Sequence, residues 1–189
     1  MYLPTSIFWD LLKKSMYQQK LPKFSGEIKS FEYWPSWNAE NTENNQRVEP
    51  DVFLRFEDFD VLIEAKRHNL GGQYKNQFDN ETQAYQNEYG EQNKPLYFIK
   101  LGGLNNLNNE DSNNPKVVIC KTDWSKLLNE IVLLKSEFER GNTHLNQHYV
   151  RLLSHCIKGF SLHNFYNIQW LEKLSAYKIN TTTIPLNIK

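Results

Sequence analysis

Apolar residues recur at helical spacing at the start of the chain. Ile7, Phe8, Leu11, Leu12 and Met16 form one stripe, with Thr5 or Ser6 placed to cap it and Leu21-Pro22 lying beyond its end. Residues 27–34 are rich in β-branched and aromatic types and predict a strand that stops at Pro35. A polar stretch from Asn38 to Gln46 predicts a loop. Alternation then predicts two strands, 49–56 and 59–66, joined by a turn at Glu57-Asp58. A glycine-containing turn, 67–72, leads into a helix over 73–89 that ends at Gly90. The compact apolar runs 96–101 and 117–120 predict buried strands, separated by an Asn-rich, low-complexity loop from Gly102 to Pro115. Three helices are expected after them, over 123–140, 144–157 and 162–177, the last capped by Ser161. This order predicts an α/β fold, a mixed central sheet of four to five strands flanked by helices. The 189 residues suit one domain, with a core over about 5–140 and a helical C-terminal extension over about 141–178.

The hairpin carries the candidate chemistry. With Glu57-Asp58 as the turn, Phe56 faces Phe59, Arg55 faces Asp60, Leu54 faces Val61, Phe53 faces Leu62 and Val52 faces Ile63. Each of these pairs favours the register: apolar against apolar, and one ion pair. The next pair is Asp51 against Glu64, two carboxylates that repel unless a cation lies between them, as hard oxygen ligands allow. Lys66 is two residues beyond Glu64 and so shares its face. Two acids and a lysine at one strand end suggest metal-assisted hydrolysis.

These residues resemble the signature of the PD-(D/E)XK nuclease superfamily. Pro50-Asp51 is followed after twelve residues by Glu64-Ala65-Lys66. The segment Gln77-Phe-Asp-Asn-Glu81-Thr-Gln-Ala-Tyr85 is similar to the glutamine-bearing helix that follows the motif strand in many members. The resemblance covers the order of elements from about residue 5 to about residue 140. It implies a restriction-endonuclease-like fold and hydrolysis of DNA phosphodiesters with Mg2+, or Mn2+ as a substitute, in a restriction, repair or phage-defence setting. It further implies that Asp51, Glu64 and the carbonyl of Ala65 hold the metal. Lys66 would orient or deprotonate the attacking water, or stabilise the pentavalent phosphate, and Gln77 would position phosphate or water.

The sequence departs from the family where many members draw an acid from the first helix, which here offers only Asp10. Glu27 or Glu32 on the first strand are the candidate substitutes, and Glu49, facing Lys66 in the same register, is another neighbour. Their membership of the site, the number of metals, DNA against RNA, and endonuclease against exonuclease action stay open. The alternative function is a non-catalytic nucleic-acid- or protein-binding subunit that retains the fold within a larger assembly. A protein partner or a homodimer is compatible with either reading.

Charge changes this picture little in total and more in distribution. The net charge is zero. Residues 1–26 carry a net +3, residues 27–111 a net −8 and residues 112–189 a net +5. An acidic centre between basic ends would suit a metal site framed by phosphate-contacting surfaces. Cys120 and Cys156 are too few for a disulfide framework, and no run approaches the roughly 18 apolar residues of a membrane span. The expectation is therefore a cytoplasmic protein with no membrane partner. His144 and His148 have the four-residue spacing of a zinc pair, but no third ligand follows at a standard spacing, so they are read as surface or partly buried residues. Tyr149, Phe165 and Trp170 are read as core or interface, Glu81 as a brace for the Gln77 helix, and His68 as a turn residue.

Overall fold

The computed structural model describes residues 3–44, 46–141 and 143–167. Its elements are α1 (Thr5–Ser15), β1 (Ser30–Tyr33), β2 (Trp37–Asn38), β3 (Arg47–Val48), β4 (Val52–Arg55) and β5 (Asp60–Ala65). They continue with α2 (Lys75–Tyr89), a 3-10 turn (Gly90–Gln92), β6 (Leu96–Leu101), β7 (Val117–Thr122), α3 (Trp124–Gly141) and α4 (His144–Leu162). Five strands form one mixed sheet in the order β1-β4-β5-β6-β7, and β2 and β3 form a separate two-stranded ribbon. The first three strands are antiparallel; β5, β6 and β7 are parallel. The β4–β5 register is the expected one, from Arg55 opposite Asp60 to Val52 opposite Ile63. Among the described residues no helix is long and apolar enough to cross a membrane.

Strand alternation divides the sheet into two apolar faces. Phe53, Leu62, Phe98 and Ile119 point to one side, where Phe78, Ala84 and Tyr85 of α2 and Trp37 and Val48 of the ribbon cover them. Leu54, Val61, Ile99 and Cys120 point to the other, beneath Trp9 and Leu12 of α1 and Met16 at its C-cap. A third cluster of Leu11, Ile131 and Leu153 ties α1 to α3 and α4. The result is a three-layer arrangement. Each fully buried large side chain contributes about 1.5–3 kcal/mol, so the many aromatic contacts under α1 and α2 dominate stability.

Several elements differ from expectation for identifiable reasons. The Asn38–Gln46 loop lies between β2 and β3, because buried Trp37 and Val48 face each other and anchor the ribbon. Pro4, not Thr5 or Ser6, is the N-cap of α1, and the Thr5 hydroxyl donates to Glu27 instead. Helix α4 runs past Gly159 to Leu162, since Ile157 and Phe160 pack on the α1–α3–α4 cluster and outweigh the glycine's cost of about 1 kcal/mol. Ser161 is therefore inside α4, and residues 163–167 are not helical. The remainder of the expected last helix, with Trp170, lies outside the described residues. The Asn-rich segment is the connection between parallel β6 and β7, a link that needs a dozen or more residues.

One buried polar group holds the hairpin to α2. Asp60 is fully buried, takes the Arg55 guanidinium at 3.3 Å and accepts the Tyr85 hydroxyl at 3.0 Å. Removing one partner of a buried pair leaves the other uncompensated. Asp60→Ala is therefore expected to lower unfolding free energy by about 3 kcal/mol, measured by urea titration; a change below about 1 kcal/mol would show the pair to be unimportant.

Candidate active site

The site forms where β5 ends. Asp51 stands one residue before β4, opposite Glu64 by continuation of the Val52–Ile63 pair. Its Oδ2 accepts the Ala65 amide at 2.8 Å and its Oδ1 takes the Trp34 indole at 3.3 Å. Trp34 also donates its own amide to the Asp51 carbonyl, and its φ of 49° is a conformation bulky residues rarely adopt. In an extended strand a residue's N–H and C=O leave on the same side, so the Ala65 carbonyl faces the Asp51 edge as well.

Glu64, Lys66 and Gln77 meet in one network. The Lys66 ammonium donates to Glu64 Oε1 at 2.6 Å and to Gln77 Oε1 at 2.7 Å, and Gln77 Nε2 donates to the same Glu64 oxygen at 2.5 Å. Gln77 Nε2 also reaches Glu81 Oε1 at 2.9 Å. Glu64 is buried and Lys66 half-buried, so solvent screens the pair weakly. Burial holds the Glu64 carboxyl above its ordinary range despite Lys66, and the Asp51 charge adds to the rise. This is the electrostatic deficit that a cation would relieve.

Lys66 is clamped from three sides, twice at its backbone and once along its side chain. Its amide donates to Leu101, and its carbonyl accepts the Trp124 indole at 2.6 Å. Gly103, at φ 62°, sits so close that a Cβ there would lie 2.7 Å from Lys66 Cβ and Cγ. Gly102-Gly103, just past the end of β6, thus makes the close approach to Lys66.

Glu81 is the residue whose place the sequence did not disclose. It braces Gln77 as its i+4 spacing suggests, but it is also buried against Glu64, and its Oε2 has no hydrogen-bond partner. Burial and the facing Glu64 carboxylate push its pKa up to about 9. A buried Glu on the inward face of an otherwise polar helix was the available signal. Other candidates stand apart. Glu27 is held by Thr5, exposed Glu32 pairs across to Phe53, and Asp10 pairs with Lys13 on the surface. Glu49 makes no ion pair with Lys66; it lines a cleft of about 630 Å³ together with Gln77 and Glu81. His68, His144 and His148 are exposed.

The donor set fits a hard cation. Asp51, Glu64 and the Ala65 carbonyl are oxygen donors, and an orphaned Glu81 oxygen lies on the same side. Mg2+ uses few protein carboxylates and keeps several waters. Among the described residues no three His, Cys, Asp or Glu side chains already meet as a cage. Such a site would be completed by water and substrate.

Two outcomes test this geometry. Between pH 4.5 and about 9 the folded protein keeps the Glu81 proton that the unfolded chain releases, so stability falls as pH rises through that window. Thermal melts from pH 5 to 9 should therefore show a steeper decline for the parent than for Glu81→Gln; parallel profiles would refute the assignment. Gly103→Ala should displace Lys66 and lower stability by about 1–3 kcal/mol, read by denaturant titration.

No family model, curated protein or solved structure matches the chain. The functional reading therefore rests on the geometry of this site.

Proposed function

We propose that the protein is a metal-dependent nuclease of the PD-(D/E)XK type, with a restriction-endonuclease-like core. The observation that carries this reading is the network joining Glu64, Lys66 and Gln77 at the end of β5, with Asp51 opposite on the hairpin. An α/β sheet with its motif hairpin next to a parallel βαβ unit is the frame such a site needs.

Asp51 and Glu64 would hold Mg2+ or Mn2+ with the Ala65 carbonyl. When bound, the ion supplies charge neutralisation on the scissile phosphate and a water of lowered pKa. Among the described residues Lys66 is the one cation bonded to Glu64, and its ammonium stays in place through Gln77. That position suits it to orient the attacking water or to stabilise the charge that builds on the phosphate. Gln77 has a second task, because its amide spans Lys66, Glu64 and Glu81 and fixes their relative positions. Substrate would enter from the cleft lined by Glu49, Gln77 and Glu81. The substrate class proposed is DNA, with RNA as the comparison.

The test is incubation of the purified chain with single- and double-stranded DNA and RNA in Mg2+, Mn2+ or chelator. Cleavage is expected with either metal and none with chelator. Lys66→Ala should lower the rate by about 10²-fold or more while metal affinity, read by calorimetry, changes little. Asp51→Asn and Glu64→Gln should weaken metal binding and cleavage together. Carboxamide variants that cut at the parental rate would overturn the reading.

A further inference from the structure

Two lysines sit inward on the same face of the sheet as Glu64. Lys100 of β6 is the register partner of Glu64, and Lys121 of β7 is the register partner of Lys100. The three side chains therefore form one row across the parallel strands, at the ends where α/β sheets bind ligands. Strand spacing places Lys100 about 5 Å and Lys121 about 10 Å along the row from Glu64. Both lysines are buried.

One carboxylate serves both. Glu110, from the β6–β7 connection, accepts Lys100 through Oε1 at 2.6 Å and Lys121 through Oε2 at 3.0 Å. Burial works against the charge of Glu110, but the two ammonium groups hold its pKa below the ordinary carboxylate range. The remaining donors of Lys121 go to the Asn106 carbonyl and side chain and the Asn108 carbonyl, and Lys100 lies 5.2 Å from the Phe78 ring centre. The neighbouring acid, Asp111, is turned outward to Lys20. Two buried positive charges thus share one negative charge. A single lysine would suffice to pin the loop, and a second buried cation without its own counter-charge costs stability.

We propose that Lys100 and Lys121 bind a phosphate group of the nucleic acid, and that Glu110 occupies their site as an internal stand-in until substrate displaces it. The oxygen–carbon–oxygen unit of Glu110 bridges the ammonium groups as two oxygens of a phosphate would. The site opens on a cavity of about 270 Å³, with Lys75 and Gln73 at its wall. Gln73 donates to the Glu64 and Gly102 carbonyls, so this cavity adjoins the proposed active site. Glu110 belongs to a segment without regular secondary structure, and its departure breaks no strand pairing. An internal phosphodiester replaces its charge one for one. A terminal phosphomonoester carries about −1.5 to −2 near neutral pH and matches both lysines, so a phosphorylated strand end is the better ligand.

This inference deepens the nuclease reading, but its test needs no cleavage. Short fluorescent oligonucleotides with a 5′-phosphate, a 3′-phosphate or neither end phosphorylated are titrated in chelator and followed by anisotropy. A phosphorylated end should bind about tenfold tighter than the unphosphorylated strand, the scale of one charge-assisted hydrogen bond. Glu110→Ala should tighten binding several-fold further, whereas Asp111→Ala, which removes the same charge outside the pocket, should not. Tightening confined to phosphorylated strands identifies the terminal group as ligand; equal tightening for all three identifies internal phosphates. Lys121→Met should abolish the gain, with a melt to verify folding; if it does not fold, Glu110→Ala and Asp111→Ala decide. No gain with Glu110→Ala, or an equal gain with Asp111→Ala, overturns the proposal. Binding that behaves as expected in a protein that cuts nothing in Mg2+ would retain this pocket and refute the nuclease reading alone.

Discussion

The ion pair between half-buried Lys66 and buried Glu64 at the end of β5 is the constraint around which the molecule is arranged. A lysine placed there by strand alternation alone would extend into solvent. Here Leu101 fixes its amide, Trp124 fixes its carbonyl, and Gly103 leaves room for its side chain. Two segments distant in sequence from Lys66, the end of β6 and the start of α3, thus converge on one residue. The carboxylate it meets is held in an environment that disfavours its charge, and Lys66 offsets only part of that cost. A site of this kind gives up stability, and the surrounding aromatic core under α1 and α2 is what lets it persist.

The topology explains why the charged groups cluster where they do. The antiparallel half of the sheet brings Asp51 to Glu64 through a hairpin, which sets register within a few residues. The parallel half stacks β5, β6 and β7 with their C-terminal ends together, so one inward position in each strand gives the row Glu64, Lys100, Lys121. Helix α2 covers that face and contributes Gln77 and Glu81 from two successive turns. The same crossover that buries Phe78 over Phe98 therefore aims the glutamine at the lysine.

Local signals made the hairpin, the Gln77 helix and the central strands legible in the sequence. The Asp51–Glu64–Lys66 arrangement followed because turn position and period-two alternation determine which side chains share a face. Long-range packing was less legible. The ribbon at Trp37 and Val48 depends on burial beneath α2, which no two-residue pattern reports. Extension of α4 past Gly159 depends on contacts with α1 and α3. Glu81 read as a helix brace because its burial comes from the sheet opposite. Lys100 lay within the apolar run 96–101 and Lys121 one residue beyond the run 117–120; a lysine at the inward phase of such a strand was a signal, but its partner Glu110 is in an Asn-rich loop of low complexity.

Charge total and charge placement are different quantities in this protein. A net charge of zero reads as indifference to polyanions. Yet Lys100 and Lys121 are buried and bridged by Glu110, while Lys66 is half-buried and paired with Glu64. Such pairs contribute little field at the surface while they are closed. Separating Glu110 from its lysines would uncover two cations on the same sheet face as Glu64 without altering the formal charge at all. Affinity for phosphate in such a molecule depends on which ion pairs are closed rather than on composition. An acidic segment carrying a net −8 over residues 27–111 is therefore compatible with a polyanionic substrate, because the acids that contribute to that sum include the ones that would hold the metal and the one that closes the lysine pair.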